Sequence, residues 1–179
     1  NPEILEEGVE KVTFSRERAA RLLGSAPDTP RQVCCYLVQD EALWNELSEK
    51  YAIHRNTVSL AVGDEVVCLA GDREELAGDA LPHELIHVQI HQDGLKLPLA
   101  LEEGMALCFG WEINLEYHLS RGDIVRKKKE RPAGGPWLDT DALLQITEYP
   151  AEPDALMIFY AQSERFVQAV NELIGPGDM

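Results

Sequence analysis

Apolar and polar positions change their period several times along the 179-residue chain, and each change marks an element. Residues 1–13 are acidic and weakly patterned. Ser15 then reads as an N-cap, and Ala19, Ala20, Leu22 and Leu23 predict a helix ending near Gly24. Pro27 and Pro30 make the next stretch a loop. Val33 to Val38 is an unbroken apolar run of strand length and reads as a central strand. Asp40 caps a second helix, with Leu43, Trp44, Leu47 and Tyr51 at helical spacing. Thr57 to Val62 and Glu65 to Leu69 are two short strands around Gly63-Asp64, the pattern of a hairpin.

The period then becomes helical. Asp72 to His91 predicts a helix that must accommodate Pro82, and proline in a helix interior costs about 3 kcal/mol. Either Asp79 is the N-cap and Pro82 falls in the first turn, or the helix begins near Arg73 and kinks at Pro82. Gly94 stands where a C-cap is expected. Leu99 to His118 is helical, and apolar residues nearly encircle its first half, so it should be buried. A short helix is expected within Trp137 to Thr147, capped by Asp139 or Thr140, and a last one over Asp154 to Ile174. The fold class is α+β in a single domain over residues 1–179. A small N-terminal mixed sheet with helices fills about 1–92, and a helical part about 97–179.

Two stretches carry chemistry. Pro82 to His87 contains H-E-x-x-H, and residues four apart share a helix face, so His83 and His87 project together. Glu84 points about 100° around the helix from His83. That places it beside a metal, where a general base takes a proton from an activated water. A catalytic zinc takes three protein ligands. His91 lies another turn along, about 6 Å further down the axis than His87, too far for one ion on a straight helix. The third ligand is therefore expected from another element. Glu103, in Leu101-Glu102-Glu103-Gly104-Met105-Ala106, is the best candidate, with Gly104 expected to let its helix approach the first. Glu102 is the competitor, since the two side chains diverge by about 100°.

H-E-L-I-H, followed by a loop with Leu97-Pro98 and then L-E-E-G-M-A, resembles the gluzincin zinc metallopeptidases, the thermolysin-like peptidase MA group. Tyr160-Ala161-Gln162-Ser163 resembles the Y-A-x-S segment near the C-terminus of small members. The resemblance covers roughly Val58 to Ile174. It implies a zincin-like fold holding one zinc per chain on His83, His87 and Glu103, with Glu84 as the base in peptide-bond hydrolysis. A strand before the zinc helix, taken as Glu65 to Ala70, would form a rim of the cleft where a peptide adds as an extra strand. Tyr160 is the expected phenol near the metal, donating to the oxyanion. The chain departs from the thermolysin pattern at Leu107, where an acidic residue would buttress a ligand histidine, so that partner is unassigned. A zincin-fold domain without activity, acting as a zinc-binding or protein-interaction module, is the alternative; hydrolysis of a non-peptide amide is a third reading.

Charge narrows the partners. Sixteen Lys and Arg against 32 Asp and Glu give a formal charge of −16, which repels nucleic acid and anionic membranes; the family resemblance implies a peptide or protein substrate. No apolar run reaches membrane-spanning length. Cys34, Cys35, Cys68 and Cys108 make no C-x-x-C and read as free thiols, a lean towards a reducing, cytoplasmic setting. The chain starts at Asn1, which is consistent with a removed leader or preceding domain. His54, His91 and His118 are expected at the surface, and the basic run Arg126 to Arg131 in a solvated loop.

Overall fold

The structure, a computed structural model, describes residues 2–25, 31–50, 58–70, 78–123 and 137–174. Its elements are α1 (Pro2–Leu22), β1 (Cys34–Val38), α2 (Glu41–Lys50), β2 (Ser59–Val62), β3 (Glu65–Leu69), α3 (Ala80–Gln92), α4 (Leu99–Ser120), α5 (Thr140–Leu144) and α6 (Pro153–Ile174). This is an α+β arrangement with a small mixed sheet of order β1-β3-β2. Tyr51, His54 and the run Arg126 to Arg131 fall outside the described residues.

The hairpin forms as its turn residues predict: β2 and β3 are antiparallel, with Val62 opposite Glu65 across Gly63-Asp64. β1 pairs with β3 in parallel, Leu37 opposite Cys68. This corrects two expectations. Among the described residues β1 is an edge strand, not a central one, and its Tyr36 is half exposed. β3, read as a rim open to a peptide, is the middle strand and is paired on both sides. A short apolar run has no feature that separates an edge strand from a central one.

α1 begins at Pro2, thirteen residues before the predicted cap, and Ser15 is buried in its interior. Its buried stripe is Ile4, Gly8, Lys11, Ser15 and Ala19, a helical spacing carried largely by small or polar residues. An apolar periodicity therefore does not reveal it. Lys11 reaches across the fold: its Nζ donates to Asn114 Oδ1 and to the Gly78 carbonyl, both at 2.7 Å. Burial draws its pKa down to about 8 despite nearby Cys68 and Asp79.

The capped helices follow the sequence. Asp40 Oδ1 accepts from Ala42 and Leu43 N–H, and Asp139 Oδ1 accepts from Ala142 N–H. α3 starts just after Asp79, so Pro82 falls in the first turn, where no helical hydrogen bond is lost. Gly78 and Asp79 are non-helical, which excludes a continuous helix from Arg73 through Pro82. α4 runs unbroken and packs on α1, α3, α5 and α6. All four cysteines are free, and burial pushes the Cys35 thiol up to about 11. Among the described residues, no helix is long and apolar enough to cross a membrane.

α3 divides its surface among three environments. Leu81, Leu85 and Val88 join Val66 and Cys68 in a core under the sheet. Ile86 and Ile90 join Ala106, Phe109 and Ile113 in a second core against α1 and α4. His83 and His87 occupy neither, and are left for chemistry.

Candidate metal centre

The i, i+4 spacing on α3 brings His83 and His87 together, with their Nε2 atoms 3.1 Å apart. α4 supplies Glu103 opposite them. Its Oε2 lies 3.5 Å from His83 Nε2, and its Oε1 3.5 Å from His87 Nε2. These three side chains form a group able to hold a metal ion, their donor atoms all within 4.8 Å of one another. A tetrahedral zinc with bonds of about 2.0–2.1 Å separates its ligand atoms by roughly 3.3 Å, close to the 3.1 Å between the histidines and to the 3.5 Å that each makes with a different oxygen of Glu103.

The electrostatics point the same way. Glu103 is only 2% exposed, and its Oε2 has no hydrogen-bond partner. A buried carboxylate oxygen left without a partner is costly, and a cation would offset that cost. Burial alone would raise the Glu103 pKa; the facing His83 and His87 rings and the Tyr149 hydroxyl overcome this and hold it at about 2. Burial alone would lower the His87 pKa, but its bond to Glu102 and the charges of Glu103 and Glu84 push it up to about 9.

Glu102 lies outside this group. Its Oε1 accepts from His87 Nδ1 at 2.9 Å, which leaves Nε2 turned to the shared site. The buttressing carboxylate absent at Leu107 is thus provided by the residue just before Glu103. The divergence of the two glutamates by about 100° explains how adjacent residues serve opposite edges of one ring. Leu107 itself is buried.

Glu84 faces the sheet side of α3, on the same helix face as Leu81 and Val88. It is buried, and Ser59 of β2 donates to its Oε1 at 2.8 Å. Ser59 alternates with Leu60 along β2 and so reaches the inward face. No motif marks it, and the sequence reading missed it.

Two glycines set the helix spacing. A Cβ on Gly110 would come within 2.9 Å of His83 Cα and N, so Gly110 is what lets α4 touch α3 at the first histidine. Gly104, expected in that role, meets α6 instead: its Cβ would lie 2.3 Å from the Ser163 carbonyl oxygen. One helix turn carries 3.6 residues, so the residue after Glu103 points well away from α3.

The phenol that reaches the candidate metal group is Tyr149, which donates to Glu103 Oε1. The sequence assigned this neighbourhood to Tyr160. Tyr160 is on α6 with its ring centroid 6.3 Å from that of Tyr149, packed beside Phe159. Burial and the Glu103 charge raise the Tyr149 pKa, so it remains a donor. Tyr149 follows α5 in an irregular stretch without a motif, which is why sequence alone passed it over. His91 is exposed, and His118 pairs with Asp123 at 2.9 Å near the far end of α4, outside the metal group.

No protein-family model matches the chain, and no curated protein or solved structure matches it.

Proposed function

We propose that the protein is a zinc-dependent metallopeptidase of zincin-like fold, with one zinc held by His83, His87 and Glu103. One observation carries this reading: two histidines of an H-E-x-x-H turn converge with a buried glutamate whose Oε2 lacks a hydrogen-bond partner. Three protein donors are the number that leaves a position open for substrate or water. When bound, zinc supplies Lewis acidity to a carbonyl and makes water more acidic.

The chain's own residues do the rest. Glu84 takes the proton of the attacking water and later returns it to the leaving amine. Ser59 holds the Glu84 carboxylate at Oε1, which fixes the base on the β2 side of the site. Glu102 fixes the His87 ring through Nδ1. A peptide that extends the sheet would pair with β2, an edge strand bearing Ser59, rather than with β3. The formal charge of −16 favours basic peptides in encounter.

A screen of a mixed peptide library with the parent and Glu84→Gln tests this function. The parent is expected to cleave some members. Glu84→Gln is expected to keep its metal and lose about 10²- to 10⁴-fold in rate, the usual contribution of a general base. Equal cleavage by both would sink the mechanism. A metal-loaded parent that cleaves nothing would favour a zinc-binding module.

A further inference from the structure

The Glu103 carboxylate has two oxygens in unlike surroundings. Oε1 accepts a hydrogen bond from the Tyr149 hydroxyl and lies 3.5 Å from His87 Nε2. Oε2 is buried, has no hydrogen-bond partner and is 3.5 Å from His83 Nε2. Glutamate binds a metal through one oxygen or through both, and the choice changes the coordination number and what remains open for chemistry. The donor held at Oε1 therefore bears on how Glu103 would ligate.

Tyr149 is built to hold that bond. It precedes Pro150, which restricts its backbone to an extended conformation. Its ring packs edge-on against Phe159, centroids 6.2 Å apart, and lies 6.3 Å from Tyr160. α6 thereby packs against one side of the ring, whose hydroxyl is turned to Glu103. Half of the residue is nevertheless exposed, so it borders the site on the solvent side.

We propose that Tyr149 is a positioning residue of the metal centre: its phenol holds Oε1 of Glu103 and leaves Oε2, the oxygen without a hydrogen-bond partner, as the atom that would ligate. This rests on the metal reading above and adds a determinant of coordination geometry to it. Tyr160 has no part in it beyond supporting the ring.

Cobalt(II) is a suitable probe because its visible band is intense in four-coordinate sites and weak in five- or six-coordinate ones. Full-length parent, Tyr149→Phe and Tyr160→Phe are titrated with cobalt against a chelating dye, and their spectra and metal-free melting temperatures recorded. Tyr149→Phe is expected to bind cobalt at least tenfold more weakly, in the range for loss of a residue supporting a ligand. Its visible band should weaken as Glu103 becomes free to bind through both oxygens. Tyr160→Phe should match the parent in affinity and spectrum. The proposal is overturned if Tyr149→Phe matches the parent in affinity and band intensity, even if its melting temperature falls. It is equally overturned if only Tyr160→Phe alters the spectrum. A parent that binds no cobalt removes the metal reading itself, an outcome distinct from a parent that binds normally beside an unaltered Tyr149→Phe.

Discussion

His87 is held from both edges of its ring by consecutive residues of α4. Glu102 takes Nδ1 at 2.9 Å, and Glu103 faces Nε2 at 3.5 Å. The metal-free ring holds its proton up to about pH 9, above its ordinary 6.5. The folded protein thus binds that proton more tightly than the unfolded chain does. Its contribution to metal-free stability is complete below pH 6.5 and lost as pH rises through about 9. Glu103 has the opposite sign: with its pKa held at about 2 rather than 4.5, its contribution is complete above pH 4.5 and lost as pH falls through about 2. A metal must displace the His87 proton, so apparent zinc affinity should rise about tenfold per pH unit below that pKa and then level off. In Glu102→Gln the levelling should come at lower pH, because the neutral amide no longer stabilises the imidazolium. Isothermal titration across pH checks this; a curve unchanged by Glu102→Gln would remove Glu102 from its assigned role. At this scale the sequence was informative about the residues that gather in the candidate metal group and blind to their support. His83, His87 and Glu84 stand in a spacing that helix geometry reads directly and Glu103 was the better of two adjacent candidates, whereas Ser59 and Tyr149 reach the site only through tertiary packing.

Elements place these residues by close approach. α4 comes up to α3 where Gly110 faces the backbone of His83, and up to α6 where Gly104 faces the Ser163 carbonyl. Gly110→Ala would drive a methyl to 2.9 Å from His83 Cα and N, atoms that cannot rotate away. The expected cost is about 1–3 kcal/mol of stability, the usual penalty of overpacking, together with weaker metal binding as the first histidine shifts. Denaturant unfolding and a zinc titration measure both; a variant with parental stability and affinity would show that the helices do not need this contact. Helices and the hairpin were legible where their caps and turns are local: Asp40, Asp139, Gly63-Asp64 and the first-turn Pro82. α1 was half hidden because its buried stripe includes Gly8, Lys11 and Ser15 rather than a row of apolar residues. Lys11 is explained only by its partners, Asn114 on α4 and the Gly78 carbonyl before α3, each distant in sequence.

Across the described residues, α3 and α1 both contribute to the sheet core and the helical core, and the candidate metal group lies where α3 meets α4. The α+β class followed from strand-length apolar runs in the first half and helical periodicity in the second. Strand order did not: it depends on a parallel pairing between β1 and β3 that spans α2 and the hairpin, and nothing local specifies it. That order makes β2 the edge strand carrying Ser59, the partner of Glu84. The central claim is that this architecture assembles one zinc site from three side chains. Elemental analysis of zinc per chain, after zinc supply and dialysis, tests it for the parent, Glu103→Ala and Glu102→Ala together. The account predicts about one zinc in the parent, little in Glu103→Ala, and a weaker but measurable content in Glu102→Ala. A parent without zinc, or a Glu103→Ala that retains it in full, would contradict the account.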